Sequence, residues 1–366
     1  MDGPFNKKGS AGKRTSLRDL AEHLSLSKTT VSVVLSGSPA AEAIPAATRD
    51  RIFRGAARLG YRPHYIARSL RKSSTMSVGI ITPDFSDGYF THLMSGIESY
   101  LLSREYFYFT VSHSWKPALI EQYTQMLAER GVDGLILINT PVPQSSLPMV
   151  AISGRHLRKG PPTVSLNHTK AADLVMEHLY SLGHRRIAMM RGQSSSQDTD
   201  LRWKAFVTAA RKLDIPLDPR LQVTLNSSVW SADWGYSLVR ELLDRTRDFT
   251  AIVCFNDITA MGAIRAFRDT GLRVPEDVSV VGFDDVINAG FFSPSITTIH
   301  QPLRKMGYSA AERLIQSITD PPIPVQPTII HEPTLVVRES TGPAAVLKVD
   351  EAAAHNAGAK KKMRRG

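Results

Sequence analysis

Residues 248–285 read DFTAIVCFNDITAMGAIRAFRDTGLRVPEDVSVVGFDD and contain one complete strand–helix–strand pattern. An apolar run of strand length, AIVCF, is followed by a helix-length amphipathic stretch and then by a second apolar run, VSVVGF. This order predicts two parallel strands joined by a crossover helix. The same alternation begins at SVGIITPD, residues 77–84, and continues along the chain. The sequence therefore predicts an α/β body made of two doubly wound parallel-sheet subdomains.

The composition is that of a soluble protein with more than one domain. The chain has 366 residues, of which 42% are hydrophobic and 22% charged, and no apolar run reaches the roughly 18 residues of a membrane span. Its basic start, residues 1–14, lacks the apolar core of a secretory signal. The single cysteine, Cys254, excludes an intrachain disulfide. We therefore expect a cytoplasmic protein without membrane association.

The net charge of +11 is concentrated at the two ends of the chain. Residues 1–72 carry 14 Lys and Arg against 5 Asp and Glu, whereas the middle of the chain is close to neutral. Such asymmetry favours contact between the N-terminal part and a polyanion, with a merely solvated surface as the alternative. The extreme ends, residues 1–14 and 343–366, are rich in Gly, Ala and Lys, and we expect both to be disordered basic tails.

Residues 15–62 predict a small all-α domain, in which apolar residues recur at helical spacing. We expect helices at Leu17–Leu24, at Lys28–Leu35 with Ser27 as its N-cap, and from Ala46 to Leu59. Two short helices around a tight turn are typical of a helix-turn-helix motif, whose second helix lies in the DNA major groove. A chance helical bundle is the alternative, since spacing alone is a loose signal.

The second helix of this motif has one face left for DNA once its apolar residues are packed. We expect its outward residues to contact base edges: Lys28, Thr29, Ser32 and Val33. Lys28 can donate to guanine, whereas Val33 can make only apolar contacts. We expect nearby hydroxyl groups to bind phosphate: Ser16, Ser27 and Thr30.

The run TSLRDLAEHLSLSKTTVSVVLSG, residues 15–37, resembles the start of repressors of the LacI/GalR family. The distinctive residues are Asp19-Leu20-Ala21, Ser27 and Thr30-Val31-Ser32, and the match continues through TRDRIFRGAARLGYRPHYIARSL. The resemblance implies that the linker, residues 63–75, contains a hinge helix that enters the minor groove and inserts a leucine between base pairs. The implied hinge residues are Ala67, Arg68 and Leu70. Two departures are Ser25, where many relatives have glycine, and a longer segment at residues 36–47.

The resemblance extends over the body through VDGLILIN, LGHRRIAMM, RWKAF and the stretch quoted first. It implies a fold similar to periplasmic sugar-binding proteins, with a ligand in the cleft between two subdomains. We expect subdomain N at about 76–166 and 301–330, and subdomain C at about 167–300 and 331–342.

Polar residues that follow parallel strands are expected to face this cleft. By resemblance, Asn256 and Asp284 bind the ligand, whereas we expect Asp257 and Asp285 to cap the helices that follow them. The resemblance adds Arg202 and Trp230 as ligand candidates. Phe90 and Gln301 are further candidates by their positions, at the exit of the first cleft strand and at a crossover, and Ser153 and Asp198 are candidates at positions where relatives carry other polar residues. Ser153 stands where many relatives have aspartate, and the short connection at residues 140–148 leaves no room for the usual helix.

These expectations describe a transcription regulator, most simply a repressor, that binds a palindromic DNA operator on the nucleoid as a homodimer. Its effector is expected to be a sugar or a related polar metabolite, and no cofactor or metal is expected. A transport-type sugar receptor is disfavoured by the basic head and the missing secretory signal. An enzyme is disfavoured because the chain has no phosphate-binding loop, no dinucleotide fingerprint and no paired-cysteine metal site. The histidines give no usual ligand spacing, because His178 and His184 are separated by five residues and His113 and His168 have no histidine close to them in sequence.

Overall fold

The computed structural model divides the chain into two compact units, Met1–Met76 and Ser77–Gly366. The residues that the structure describes are 15–36, 38–61, 74–85, 88–153, 160–194, 196, 198–225, 231–319 and 328–345. Several predictions fall outside these residues: the N-terminal tail, the hinge residues Ala67, Arg68 and Leu70, the aromatic Trp230, and the C-terminal tail from residue 346.

The first unit, called the head, contains three α-helices in the predicted order: α1 (Leu17–His23), α2 (Lys28–Leu35) and α3 (Ala46–Arg58). Ser27 caps α2 as predicted, because its hydroxyl accepts a hydrogen bond from the Thr30 amide at 3.0 Å. Ser25, in the turn, has a φ of 50°, the left-handed conformation that favours the glycine of many relatives. The longer segment after α2 forms a 3₁₀ turn, Pro39–Ala43.

The head has its own apolar core, which fixes the angle between α1 and α2. Leu20 and Val31 are fully buried, and Ile52 of α3 closes the core from the third side. Because the core uses one side of α2, only the opposite side is available to a partner.

The second unit, called the body, contains two six-stranded sheets. The first sheet has the strand order β11-β5-β4-β3-β1-β2, and every pair in it is parallel. Its strands are β1 (Ser77–Thr82), β2 (Phe107–Ser112), β3 (Gly134–Ile138), β4 (Met149–Ile152), β5 (Thr163–Leu166) and β11 (Thr328–His331). Helices α4 (Gly88–Ser103), α5 (Pro117–Glu129) and α11 (Leu303–Thr319) pack against this sheet.

The second sheet has the order β12-β10-β9-β8-β6-β7 and is parallel except for the β10–β12 pair. Its strands are β6 (Ile187–Arg191), β7 (Gln222–Thr224), β8 (Ala251–Val253), β9 (Ser279–Asp284), β10 (Thr297–His300) and β12 (Thr334–Val336). The helices of this part are α6 (His168–Ser181), α7 (Thr199–Lys212), α8 (Ala232–Arg245), α9 (Asp257–Asp269) and the short α10 (Ile287–Phe291).

The chain passes between the two sheets three times, after β5, after β10 and between β11 and β12. This arrangement confirms the predicted α/β body of two parallel-sheet subdomains. The segment between β3 and β4 contains no helix, as the sequence predicts. The Ala344 amide donates to the Leu182 carbonyl at 2.8 Å, so the ordered body continues past the predicted boundary at residue 342. Across the described part of the chain, no helix is both long and apolar enough for a membrane span.

Helices α4 and α11 cross in close backbone contact. A Cβ atom added at Gly96 would lie 1.8 Å from the Arg304 carbonyl oxygen, and one added at Gly307 would lie 2.1 Å from the Leu93 oxygen. The two glycines therefore allow an approach that no other residue permits. This close crossing therefore fixes how near the other side chains of α4 and α11 come to each other.

Candidate functional site

A polar pocket lies in the body where strands of both sheets end. Its lining side chains come from both subdomains: Tyr89, Asn139, Ser196, Asp198, Arg202, Phe255, Asn256 and Asp284. Four of these were predicted as ligand residues, namely Asp198, Arg202, Asn256 and Asp284. Asn139 and Ser196 come from different subdomains, and their side chains lie 3.4 Å apart. The pocket therefore bridges the two halves of the body.

Asn256 follows β8 and serves as the N-cap of α9, with its side-chain oxygen accepting from the Thr259 amide at 3.0 Å. The prediction that Asp257 caps this helix is therefore wrong. Asp257 already has helical geometry, and its buried carboxylate accepts from the Val286 amide at 2.9 Å and from the Thr298 hydroxyl at 2.6 Å. Capping uses the side-chain oxygen of Asn256, so the amide nitrogen is the polar atom of this side chain that capping does not use.

Arg202 is 6% exposed and is held rigidly at the pocket wall. Its Nη1 donates to the Phe255 carbonyl at 2.6 Å, and its guanidinium carbon lies 3.6 Å from the centre of the Phe283 ring. The buried Nε has no hydrogen-bond partner among the described residues. A buried donor without a partner is costly, so this nitrogen is an unsatisfied polar atom of the pocket wall.

Asp284 and Asp285 lie at the end of β9 with φ angles of 110° and 58°. Asp284 is buried and accepts from the Gln301 side-chain nitrogen at 2.6 Å. Gln301 thus holds a pocket residue in place instead of lining the pocket itself. The prediction that Asp285 caps the next helix is wrong, because its carboxylate binds Arg338 at 2.6 Å and His300 at 2.9 Å.

Asp198 has a partner that sequence reasoning missed. His168 Nε2 lies 3.4 Å from Asp198 Oδ1, close enough for an ion pair but without the geometry of a hydrogen bond, and both side chains are at most 8% exposed. The two residues are far apart in sequence and belong to different elements, so no local spacing could pair them.

Tyr89 lines the pocket, whereas the predicted Phe90 lies beside it and packs edge-on against Phe85 with ring centres 5.1 Å apart. The Tyr89 hydroxyl hydrogen-bonds Ser153, which gives that predicted residue an indirect place at the site. Burial, reinforced by the carboxylate of Asp198, raises the pKa of Tyr89 well above its usual value. The Tyr89 hydroxyl is therefore neutral at physiological pH.

The predicted DNA-contacting residues of the head differ in exposure. Lys28 and Thr29 are exposed, whereas Ser32 is half-buried and Val33 packs against the head core. The structure therefore corrects the expectation that Val33 faces fully outward, because the body of its side chain is used in packing. The hydroxyl of Ser16 both donates to Asp19 and accepts from the Asp19 amide. Ser27 and Thr30 hydroxyls bond each other at 2.8 Å.

The described residues contain no group of three side chains suited to hold a metal ion. The pocket instead offers two carboxylates, one guanidinium, amides and hydroxyls around the Phe255 ring. Such a set suits the hydroxyl groups and flat faces of a small polar organic molecule.

Known proteins are similar to this chain over most of its length. The chain is 30% identical over 313 residues to the HTH-type transcriptional repressor PurR of Aliivibrio fischeri (strain MJ11), covering 83% of this chain and 92% of that protein. The chain belongs to the LacI/GalR family of transcriptional regulators. The PurR repressor of Haemophilus influenzae (strain ATCC 51907 / DSM 11121 / KW20 / Rd), another relative, is 29% identical over 339 residues, which cover 88% of this chain and 98% of that protein.

The fold of other family members matches as well. The Lac repressor dimer bound to operator and the anti-inducer ONPF has 25% identity and a TM-score of 0.81, covering 90% of this chain and 100% of that one. The transcriptional regulator CelR in complex with cellobiose has 26% identity and a TM-score of 0.65, covering 89% of this chain and 100% of that one. The periplasmic binding protein-like domain family matches residues 176–341. These relatives support the expected head-and-body architecture.

Proposed function

We propose that this LacI/GalR-family protein is a repressor that binds a palindromic operator as a homodimer, and that a small polar effector controls its affinity for DNA. The observation that carries the proposal is the pocket in which Asp198, Arg202, Asn256 and Asp284 converge from separate elements. The helical head of the same chain would bind the DNA. A protein with an effector pocket and a DNA-binding head has the two distinct sites that allosteric control of DNA affinity requires.

The head supports sequence-specific DNA binding. Lys28 and Thr29 are the first residues of α2 and are exposed. The first turn of a recognition helix is the part that contacts base edges. Ser32 and the outer edge of Val33 complete the proposed base-reading surface. Ser16, Ser27 and Thr30 are proposed phosphate contacts. The hydroxyls of Ser16 and Ser27 also act as helix caps, and the Thr30 hydroxyl bonds that of Ser27. The hinge residues Ala67, Arg68 and Leu70 are proposed to contact the minor groove.

The pocket supports a neutral polyhydroxylated effector, such as a sugar. The carboxylates of Asp198 and Asp284 accept hydrogen bonds from hydroxyl groups, whereas Arg202 and the Asn256 amide donate to ring or hydroxyl oxygens. The Phe255 ring offers an apolar face to the carbon side of the molecule. Cellobiose is the ligand of CelR, and ribose is bound to a LacI-family regulator from Enterococcus faecium. Trp230 is a further proposed contact.

Exposed apolar side chains support a dimer of bodies. Phe291 is 88% and Ile287 66% exposed on α10, and Phe107 is 61% exposed on the edge strand β2. Large apolar side chains of this kind are typical of residues covered in an assembly. A dimer places two heads on the two half-sites of a palindrome.

We further propose that the protein acts in the cytoplasm and has no catalytic activity, so any ligand should be recovered unchanged.

The first experiment is selection of bound DNA from a random duplex library by the full chain at physiological salt. A palindromic consensus is the expected result, and it supplies the operator for an effector screen. Enrichment of no sequence, with binding that disappears as salt rises, would contradict operator recognition. Each candidate sugar is then tested for reciprocity. A true effector changes operator affinity by the same factor by which the operator changes effector affinity.

A further inference from the structure

A second cavity, with a volume of about 720 Å³, lies in the body beside the crossing of α4 and α11. Polar side chains of the two helices face it: His92, Ser95 and Ser99 from α4, and Arg304, Lys305 and Tyr308 from α11. Its volume is within the usual range of small-molecule sites. The cavity does not share its lining with the effector pocket.

The electrostatics of this second cavity are positive. Arg304 and Lys305 are exposed, and neither side chain makes an ion pair within the described parts of the chain. The one carboxylate in the lining, Asp285, is already neutralised by Arg338 at 2.6 Å and bonded by His300 at 2.9 Å. Two cations therefore lack a counter-charge, and two imidazoles stand beside them.

The neutral groups of the lining suit an anion as well. Ser95 and Ser99 are one helical turn apart on α4, so both hydroxyls face the same space. Arg304 and Lys305 line the same cavity from α11, which is in close backbone contact with α4 at Gly96 and Gly307. Hydroxyl and cationic donors that face one space are the groups that bind phosphate and carboxylate oxygens.

One residue connects this cavity with the effector pocket. Gln301 lines the second cavity, and its side-chain nitrogen donates to Asp284 of the effector pocket at 2.6 Å. The neighbouring residue Asp285 lines the second cavity itself. The end of β9 thus presents one carboxylate to each site.

We propose that the second cavity binds a small polyanion, a phosphorylated or multiply carboxylated metabolite, and that Gln301 couples it to the effector pocket. The anion is held by Arg304 and Lys305, with hydroxyl donors from Ser95 and Ser99. Binding of the anion to the second cavity does not depend on the proposed effector function. The coupling between the anion and the effector pocket does rest on that function.

The test is isothermal titration calorimetry of the full chain with pyrophosphate and with citrate at constant ionic strength. The double variant Arg304→Gln/Lys305→Gln should lose at least about tenfold in affinity for both anions, because it loses two charge-assisted contacts. The control Lys204→Gln removes an exposed charge on α7 and should bind as the parent chain does. All three proteins have the same head, so any anion binding by the head contributes equally to the three titrations.

Two results would overturn the proposal. Equal anion affinity in the parent, the double variant and the control would show that Arg304 and Lys305 bind no anion. A shift in sedimentation behaviour of the double variant, with unchanged anion affinity, would assign the cavity to a contact between copies of the chain. The coupling is read separately, as a change in pyrophosphate affinity when the sugar identified by the effector screen is present. Unchanged pyrophosphate affinity in the presence of that sugar would overturn the coupling through Gln301, whereas the anion site is judged by the double variant and its control alone.

Discussion

The carboxylate of Asp257, on α9, accepts a 2.6 Å hydrogen bond from the Thr298 hydroxyl on β10. The side chain is fully buried, and this bond connects the helix that follows β8 with a strand two positions across the sheet. Burial raises the pKa of Asp257 to about 7, against the hydrogen bonds from Thr298 and Val286 that lower it. The protonated form is therefore favoured by the folded state.

This shift predicts that Asp257 destabilises the fold as pH rises. Between the unfolded value of 3.8 and the folded value of about 7, the folded state binds more protons than the unfolded state, so the free energy of unfolding falls. The contribution is at most about 4 kcal/mol across the whole window. Urea unfolding of the parent chain and of Asp257→Asn at pH 5 and pH 8 measures it.

The variant is needed because histidines that lose solvent on folding change the free energy of unfolding with pH in the opposite direction. Burial lowers the pKa of His184 and of His178, so their contribution to stability is lost as pH falls below the usual histidine value. The difference between parent and variant isolates Asp257. We expect the stability gap to change in favour of the variant from pH 5 to pH 8. A gap that stays constant would mean that Asp257 does not titrate in this window.

The helix crossing at Gly96 predicts a large effect from one methyl group. Gly96→Ala places a Cβ 1.8 Å from a backbone oxygen of α11, which cannot rotate away. We expect a loss of about 1–3 kcal/mol in unfolding free energy, measured by urea denaturation. Gly290→Ala is the matched control, because the nearest atom to its added Cβ is 3.7 Å away. A loss of stability in the control equal to that in Gly96→Ala would contradict the steric explanation.

The fold could be predicted because its signals are local. The apolar runs that became β8 and β9, and the amphipathic stretch that became α9, each carry their own periodicity. The N-cap of α2 at Ser27 was predicted for the same reason. The cap of α9 was misplaced because Asn256 and Asp257 are both good capping residues, and only the backbone angles decide between them.

The site could be predicted only in part because most of its contacts are long-range. Arg202 and Asp284 were identified from the family motifs that contain them. His168, by contrast, meets Asp198 only after two elements have folded onto one sheet. Asp285 pairs with Arg338, which is 53 residues away in sequence. Gln301 bonds Asp284, which is 17 residues away. Sequence patterns contain no signal for such pairs.

The rigid position of Arg202 predicts that its shape matters as much as its charge. Arg202→Lys keeps the charge but loses the planar fork that binds the Phe255 carbonyl and lies over Phe283. We expect effector affinity to fall roughly 10- to 100-fold, as measured by calorimetry with the sugar that the screen identifies. Arg211→Lys, an exposed change on the same helix, is the control and should leave affinity unchanged. Full affinity in Arg202→Lys would mean that the guanidinium does not contact the ligand.

The exposed start of α2 predicts a base-specific role for Lys28. Lys28→Ala should cost roughly 1–3 kcal/mol at one base pair of the operator if the ammonium donates to guanine. The measurement is a comparison of Kd for the selected operator and for operators changed at single positions, at fixed salt. Arg18→Ala is the control in the same head, since Arg18 is exposed on α1 and bound to Glu22 at 2.7 Å. A uniform loss across all operators, together with a smaller salt dependence, would instead assign Lys28 to a phosphate.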